Sequence, residues 1–331
     1  MREAMNRQSG SFLRVENLSI HYPLRTARPF SEPQMLRAVD DISFEVARGT
    51  SFGIVGESGS GKSTTAAAIM RLVDITAGRI MFDEAPLHAL TGERLRVFRR
   101  RLQIIFQDPY SSLNPRARLG QIVRDPLDIQ NIGTGRERDA RVTELLELVG
   151  FRPEARHAFP HQFSGGQRQR VGIARALATN PELVVCDEPV SALDVAIQAQ
   201  ILNLLKRLQR DRGLTLIFIS HDLGVVRYMC DHAAVMYFGK IVESGPTARL
   251  FSNPAHPYTK ALLATRPSIH ARERPITDRV PALDDSPGPI DMAPGCRFVS
   301  RCPIAERGCL NALPELRAID GNHRVACHLA T

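Results

Sequence analysis

The chain has 331 residues, of which 43% are hydrophobic and 24% are charged, with a formal net charge of +8. This balance is ordinary for a soluble globular protein with one large domain and an appendage, or with two domains. No stretch approaches the roughly 18 to 20 apolar residues of a membrane-spanning helix, and residues 1–10 lack the apolar segment of a secretory signal. We therefore expect a cytoplasmic protein that reaches a membrane only through partners.

The first third of the chain predicts strands followed by a glycine-rich turn and a helix. Apolar and polar residues alternate over Leu13–Ile20 and Ile42–Val46, as in half-buried strands, and Ser51–Val55 is a short apolar run typical of a buried strand. Thr64–Leu72 is rich in alanine, isoleucine, methionine and leucine, which indicates a helix. A strand, a glycine-rich turn and a helix in this order are the context that a phosphate-binding loop requires.

The middle of the chain alternates helices with buried strands. Helical spacing of apolar residues predicts helices over Arg138–Val149, Gln167–Ala178 and Ile197–Leu208. The apolar runs Leu183–Cys186 and Leu214–Ile219 predict buried parallel strands. Alternating strands and helices predict an α/β fold.

The turn after the third strand fits the phosphate-loop pattern G-x-x-x-x-G-K-[ST]. Its residues are Gly56, Glu57, Ser58, Gly59, Ser60, Gly61, Lys62, Ser63 and Thr64. The glycines let successive backbone amides point at a β-phosphate, and the start of the helix adds its positive dipole end. Lys62 would reach the β- and γ-phosphates, and the Ser63 hydroxyl would bind Mg²⁺. The alternative is a glycine-rich turn that arose by chance.

A second candidate element is an apolar strand that ends in two adjacent carboxylates, Asp187 and Glu188. In phosphoryl transfer, Asp187 would hold Mg²⁺ through a water molecule, and Glu188 would orient and polarise the attacking water. The structural alternative is a turn carboxylate that caps the next helix.

A third element opens the predicted helix at Gln167 with Ser164, Gly165 and Gly166. The start of a helix binds anions, but one nucleotide does not need two such sites in one chain. Both can be used if two protomers face each other and each presents its Ser164 loop to the γ-phosphate held by the other. The alternative is an ordinary helix start with Ser164 as N-cap.

A phosphate loop, then Ser-Gly-Gly-Gln, then the Asp-Glu strand, in this order, resembles the ATP-binding cassette (ABC) ATPases over roughly residues 11–250. The resemblance implies a P-loop NTPase cassette, with a RecA-like core and an inserted helical subdomain, that binds ATP and Mg²⁺ and hydrolyses ATP. It divides the chain into a tail (1–10), an ATPase domain (11–254) whose helical subdomain spans about 107–178, and a proline-rich, loop-rich C-terminal extension (255–331).

The resemblance implies roles for four further residues. Gln107 resembles the glutamine that contacts Mg²⁺, the water and the membrane subunits, and Asp194 lies in a sequence similar to the loop that crosses the dimer interface. His221 resembles the histidine that contacts the γ-phosphate, and Tyr22 the aromatic residue that stacks on adenine. Without the resemblance, these residues are an exposed loop amide, a helix cap, a capping histidine and a half-buried strand aromatic.

Three stretches, 105–116, 192–200 and 256–263, resemble the oligopeptide and dipeptide importer branch of these ATPases. That implies peripheral attachment at the cytoplasmic face of the membrane and three kinds of partner: a second, paralogous ATPase subunit in a head-to-tail dimer, two integral membrane permeases and an extracytoplasmic solute-binding protein. Whether the second ATPase is a paralogue or a second copy stays open. The solute also stays open: it could be a dipeptide, a longer peptide, nickel or another solute such as a glycosylated compound.

Two other functions are weaker. A soluble cassette ATPase acting on nucleic acid or ribosomes usually carries a long coiled-coil insertion or two cassettes, and the stretch between Ser63 and Ser164 is too short for either. We therefore expect no nucleic-acid partner. A small-molecule kinase that uses the same phosphate loop would leave the Ser164 loop unexplained.

Four of the six cysteines crowd into the end of the chain with the spacing C-x5-C-x6-C-x17-C. They are Cys296, Cys302, Cys309 and Cys327. Four thiolates can hold zinc or an iron–sulfur cluster, and resemblance to the extensions of the importer branch implies a 4Fe–4S cluster, with Zn²⁺ as the alternative. The structural alternative is four unligated thiols. His323 and His328 are possible ligands, or surface residues.

Overall fold

A computed structural model of the protein describes residues 11–24, 34–264 and 294–330. The strands are β1 (Ser11–Pro23), β2 (Met35–Ala47), β3 (Ser51–Val55), β4 (Ala77–Phe82), β5 (Ala85–Pro86), β6 (Leu102–Ile105), β7 (Leu183–Asp187), β8 (Thr215–Ser220), β9 (His232–Tyr237), β10 (Lys240–Pro246), β11 (Arg317–Asp320) and β12 (His323–Val325). The helices are α1 (Lys62–Ile69), α2 (Gly92–Phe98), α3 (Leu119–Ile129), α4 (Gly135–Leu148), α5 (Gly165–Ala176), α6 (Val195–Arg212), α7 (Leu223–Met229), α8 (Thr247–Ser252) and α9 (Pro257–Ala264). Within these residues, no helix has both the length and the apolar character that crossing a membrane requires.

The elements predicted from the hydrophobic pattern are confirmed, with shifted ends. The strand predicted over Ser51–Val55 is β3, and the helix predicted after it, α1, begins at Lys62. Helix α5 begins two residues before the predicted Gln167, because the cap residue Ser164 already closes its first turn. Strands β4, β5, β6, β9, β10, β11 and β12 were not predicted.

The chain divides into two compact units. Among the described residues, the first comprises 11–13, 46–51 and 82–219, and the second comprises 14–24, 34–45, 52–81, 220–264 and 294–330. Each contains strands and helices, and the expected α/β architecture is confirmed.

The first unit is built on three parallel strands in the order β6-β7-β8. Val184 of β7 pairs with Gln103 of β6 and Leu216 of β8. Every residue of β8, and every residue of β7 except Asp187, is buried, as expected for parallel strands covered on both faces. The helices α3, α4 and α5 pack on one another through fully buried side chains. Among these are Val142, Leu145, Leu146, Val171 and Ile173.

Surface charges tie separate parts of the first unit together. Arg101 makes ion pairs with Asp83 and Glu182, and Arg48 pairs with the same two carboxylates. The hydrogen bonds from Arg101 lower the pKa of both Asp83 and Glu182 below the ordinary values of these groups. The network therefore joins the turn after β4 to the segments that precede β3, β6 and β7.

The second unit contains the strands β11-β12-β10-β9-β3 in that order, with β3 and β9 parallel and the other pairs antiparallel. A second sheet has the order β2-β1-β4. The C-terminal extension is therefore not only loops, because β11 and β12 continue the sheet beyond β10.

A buried hydrogen bond between His323 and Glu243 fastens this continuation. The imidazole of His323 lies 2.7 Å from the carboxylate of Glu243 on β10, and their side chains are 1% and 0% exposed. The same carboxylate accepts hydrogen bonds from the backbone N–H groups of Ala255 (2.8 Å) and His256 (2.9 Å). With three donors, Glu243 is fully used inside the fold, as a buried carboxylate must be.

Candidate functional site

The predicted phosphate loop lies at the carboxyl end of β3, and helix α1 follows it. Gly61 is the N-cap of α1 with φ of 102°, a conformation that glycine adopts without strain. A Cβ atom at Gly61 would lie 2.3 Å from the carbonyl oxygen of Ala38, and one at Gly56 would lie 2.2 Å from that of Met236. The backbone fits only because both residues are glycine.

Lys62 is buried against its own loop, with 4% of its surface exposed. Its Nζ donates hydrogen bonds to the carbonyl oxygens of Gly56 (2.8 Å) and Glu57 (2.7 Å). The ammonium group is therefore held over the turn, and a phosphate oxygen could exchange for one of these acceptors. Ser58, Gly59 and Ser63 are exposed. Ser60 is buried and Thr64 half-buried.

Two residues of the C-terminal extension contact the phosphate loop, and sequence reasoning missed both. The Arg301 guanidinium pairs with both carboxylate oxygens of Glu57, at 3.0 and 3.2 Å. The backbone N–H of Glu57 donates to the hydroxyl of Tyr258 at 2.9 Å. Only the position of Tyr258 within the stretch that resembled importer ATPases could have drawn attention to it.

In the first unit, the Asp-Glu pair lies at the carboxyl end of β7. Glu188 has φ of 46°, which is uncommon for a residue with a side chain, and its N–H donates to the Ile219 carbonyl at 3.0 Å. The amide of Gln107 donates to the carboxylate of Glu188 at 3.2 Å. The structure thus brings together two side chains predicted to act on the same water, and it holds one in a strained conformation of the kind found at functional sites.

Asp187, the predicted partner of Mg²⁺, is the last residue of β7 and is half-buried. Its neighbour Glu188 is also half-buried. Ser191 follows in the next turn and donates from its hydroxyl to the Glu188 carbonyl at 3.1 Å. These contacts fix the backbone after β7 and leave the Glu188 carboxylate bonded to Gln107.

The Ser164 loop is the N-terminus of α5. The hydroxyl of Ser164 accepts from the N–H of Gln167 at 3.4 Å, and the side-chain oxygen of Gln167 accepts from the N–H of Ser164 at 3.0 Å. This is a capping box, so the structural alternative of an N-cap is correct. It does not exclude the predicted function, because Ser164 is exposed.

The three remaining predicted residues lie at exposed positions. Asp194 occupies the N-cap position of α6 but makes no side-chain cap hydrogen bond. The capping alternative is therefore correct for the position of the residue, but it does not explain why the side chain is a carboxylate. His221 follows β8 and is exposed, and its neighbour Asp222 caps α7 by accepting from Gly224 at 2.6 Å. Tyr22 lies near the end of β1 with 37% of its surface exposed.

The four C-terminal cysteines line one small cavity of about 10 Å³, together with His328 and His256. None of the four forms a disulfide bond. Within the part of the chain that the structure describes, no group of three or more histidine, cysteine, aspartate or glutamate side chains is arranged to hold a metal ion. The described residues therefore show no metal-binding group for the predicted iron–sulfur cluster or for zinc. His323, the other possible ligand, pairs with Glu243 instead.

Known proteins match both parts of the chain. Residues 39–191 match the ABC transporter family, and residues 242–309 match the oligopeptide/dipeptide transporter C-terminal region. The oligopeptide transport ATP-binding protein AppF of Bacillus subtilis is 44% identical over 320 residues, covering 96% of this chain and 97% of AppF. A protein of Brucella ovis named as a peptide import ATP-binding protein is 47% identical over 315 residues, covering 95% of this chain and 96% of its own.

Solved structures show the same fold. The ATP-binding cassette MJ0796, in a dimer bound to ADP and phosphate, has a TM-score of 0.63 at 29% identity, covering 71% of this chain and 98% of its own. The cbiO1 component of the cbiONQ transporter of Clostridium perfringens has a TM-score of 0.63 at 28% identity, covering 73% of this chain and 91% of its own. Because relatives at 44% and 47% identity match almost the whole chain, this protein belongs to the ATPase subunits of ABC transporters, in the branch that carries the oligopeptide/dipeptide transporter C-terminal region.

Proposed function

We propose that this chain binds and hydrolyses ATP to drive the uptake of dipeptides or oligopeptides through partner permeases. One observation carries the proposal: a phosphate loop built around the buried Lys62 occurs in the same chain as a C-terminal region shared with oligopeptide and dipeptide transporters. Relatives whose names refer to peptide import match along both parts.

The role that we propose for each residue rests on the geometry of its site and on the family resemblance. Residues 56–64 bind the phosphates of ATP, with Tyr22 on the adenine. Mg²⁺ is bound by Ser63, Gln107 and Asp187. Glu188 polarises the attacking water, a role that its hydrogen bond from Gln107 supports. His221 contacts the γ-phosphate.

Dimerisation completes the proposed cycle. Ser164, Gly165, Gly166 and Gln167 of a second ATPase subunit would meet the γ-phosphate, and Asp194 would lie at the interface. The exposure of Ser164 and Asp194 supports this arrangement. ATP binding closes the pair and hydrolysis reopens it, which changes the contacts made with the membrane subunits.

We place the protein at the cytoplasmic face of the membrane, bound to two permeases that receive solute from an extracytoplasmic binding protein. The proposed domain limits are 11–254 for the ATPase and 255–331 for the extension. Nickel or another small solute is the second candidate, because the solute is selected by the partners. Action on nucleic acid is not favoured, because the matched C-terminal region is that of transporters.

The predicted 4Fe–4S cluster, with zinc as its alternative, is a separate and narrower proposal. Its support is that all four cysteines line one cavity, although their side chains are not arranged as ligands. Iron and zinc analysis of the purified protein, with absorbance near about 400 nm, tests it. A protein free of both metals would reject it.

Lys62→Ala tests the main proposal. Removing the ammonium group should weaken Mg·ATP binding by about 100-fold, the value of two charge-assisted hydrogen bonds, and should abolish peptide uptake in cells. The matched control is Lys260→Ala, which removes an exposed lysine of α9 and should change neither. Normal peptide uptake with the Lys62 variant as the only copy would refute the proposal.

A further inference from the structure

The phosphate loop is braced by a segment far away in the sequence. Arg301 and Glu57 are separated by 244 positions, and Tyr258 and Glu57 by 201. Arg301 donates from both terminal nitrogens to both oxygens of Glu57, a two-point geometry that fixes orientation as well as charge. Tyr258 accepts the backbone N–H of the same residue. Glu57 is therefore held by its side chain and by its main chain.

These contacts are sheltered from water. The side chains of Arg301 and Glu57 are 16% and 23% exposed, and Tyr258 is 1% exposed. Arg301 also lies against the rings of Tyr237 and Phe298. Hydrogen bonding to Glu57 raises the pKa of the Arg301 guanidinium, so the guanidinium remains charged. A sheltered, two-point pair contributes more than an exposed one, which solvent and salt screen.

Arg301 is positioned by the segment of the C-terminal extension that contains Cys296, Cys302 and Cys309, called the cysteine segment below. It ends a one-turn 3₁₀ helix, Val299–Arg301, that lies between Cys296 and Cys302. The N–H of Cys296 donates to the Cys309 carbonyl at 2.7 Å, and that of Val299 donates to the Cys296 carbonyl at 3.1 Å. The backbone of the cysteine segment thus sets the position of the guanidinium that reaches the loop.

A carboxylate inside a phosphate loop creates an electrostatic problem. Glu57 directly follows Gly56, and the Lys62 ammonium bonds to the carbonyl oxygens of both residues. An uncompensated negative charge there would repel a polyphosphate and compete for the ammonium. Within the described residues, Arg301 is the cation whose ion pair with Glu57 is observed.

We propose that Arg301 and Tyr258 are positioning residues of the nucleotide site: Arg301 neutralises Glu57 and Tyr258 holds its backbone, so that the cysteine segment of the C-terminal extension prepares the phosphate loop for ATP. Neither residue needs to touch the nucleotide. The inference rests on the proposed function, because it assumes that this loop binds ATP.

The test is a charge-rescue cycle in the full-length chain, with Mg·ATP affinity measured by displacement of a fluorescent ATP analogue. Arg301→Gln should weaken binding about tenfold, on the order of the repulsion between two like charges near a protein surface, and Arg301→Lys should recover part of the loss. Adding Glu57→Gln to Arg301→Gln should return the affinity to within about threefold of wild type, because no charge is left to neutralise. The loss in Arg301→Gln should shrink at high salt, which screens the repulsion.

Tyr258→Phe gives a second measurement that does not depend on the ion pair. It removes only the hydroxyl that accepts the Glu57 N–H and should weaken ATP binding about threefold. This loss is smaller than the full value of a typical hydrogen bond. If Arg301→Gln does not fold, the Tyr258 variant and Glu57→Gln alone decide, since the latter should bind ATP at least as well as wild type.

Arg307→Gln is the matched control. It removes the same charge from an exposed position in the same segment and should leave ATP affinity unchanged. The inference is overturned if folded Arg301→Gln binds ATP within twofold of wild type, or if Glu57→Gln fails to rescue it. Absence of ATP binding by the wild-type chain would instead reject the proposed function, so the two failures are distinguishable.

Discussion

The phosphate loop and the Ser164 loop are both glycine-containing turns that begin a helix, yet they are supported differently. The phosphate loop is held by side chains from distant segments, and its Lys62 is almost fully buried. The Ser164 loop is held by its own capping box, and Ser164 is exposed. The first loop is held by segments distant in the chain, whereas the second is held by its own residues and leaves Ser164 exposed.

The difference separates binding from turnover. Residues of the phosphate loop should control the affinity of an isolated chain for ATP. Glu188, Gln107 and the Ser164 loop should control hydrolysis, which the family resemblance assigns to a pair of chains. Variants that change one property without the other test this separation.

The largest expected effect is on hydrolysis in Glu188→Gln. The amide keeps the shape of the side chain but loses the carboxylate that polarises water, so turnover should fall about 1,000-fold, within the range for loss of a general base, while ATP affinity is retained. Steady-state hydrolysis by the assembled transporter and ATP binding by the isolated chain measure the two. Glu147→Gln, an exposed position on α4, is the control. Turnover near the wild-type rate would remove Glu188 from the proposed role.

A smaller effect distinguishes a cap from a functional serine. Ser164→Ala and Thr134→Ala each break a capping box in the first unit and should each lower the free energy of unfolding by about 1 kcal/mol. Only Ser164→Ala should reduce hydrolysis by the assembled transporter, by about tenfold for one lost phosphate hydrogen bond. ATP affinity of the isolated chain should stay unchanged in both. Equal hydrolysis in the two variants would mean that Ser164 is only a cap.

The smallest effect concerns the ion network of the first unit. Because Arg101 lowers the pKa of Asp83 and Glu182 in the folded state, these carboxylates stabilise the fold above their unfolded pKa values, and this stability is lost as pH falls through the folded ones. Arg101→Gln should cost about 1 kcal/mol at pH 7, after allowance for partial exposure.

Denaturant unfolding across pH checks this prediction. The difference between wild type and Arg101→Gln should shrink as the pH falls below about 4, because both carboxylates bind protons first in the unfolded state and, at lower pH, in the folded state. Arg210→Gln, whose side chain is 77% exposed, should show no such dependence. A difference that is constant down to about pH 2 would mean that packing of Arg101 on Phe82, rather than charge, is what matters.

Local chain properties explain which elements were predictable. The strand β3, the turn and the helix α1 each follow from a few neighbouring residues, because period, glycine content and capping are local. The strands β9 and β10 were missed, although both are largely buried. The short strands β11 and β12 are only partly buried, and their sequences do not show the alternation of apolar and polar residues that would predict a strand. They form because β10 offers an open edge.

In the candidate site, too, residues in short motifs were predictable and contacts between distant residues were not. Lys62, Glu188 and Ser164 could be named because each belongs to a short motif whose chemistry follows from its residue types. The hydrogen bond between Gln107 and Glu188 joins residues 81 positions apart, and the resemblance to a family, not the chain itself, suggested their common role. The hydrogen bond between His323 and Glu243 was not predicted, because no residue next to either one in the sequence indicates the contact.

The sequence by itself therefore determined the phosphate loop, the Asp-Glu strand, the Ser164 helix start and the α/β class, since each depends on residues within a few positions of one another. Only the tertiary structure decided that Arg301 and Tyr258 meet Glu57, and that the C-terminal extension adds strands to the sheet. The physical reason is that charge compensation, hydrogen bonds and sheet edges act through space, between segments far apart in the sequence, where no local pattern records the contact.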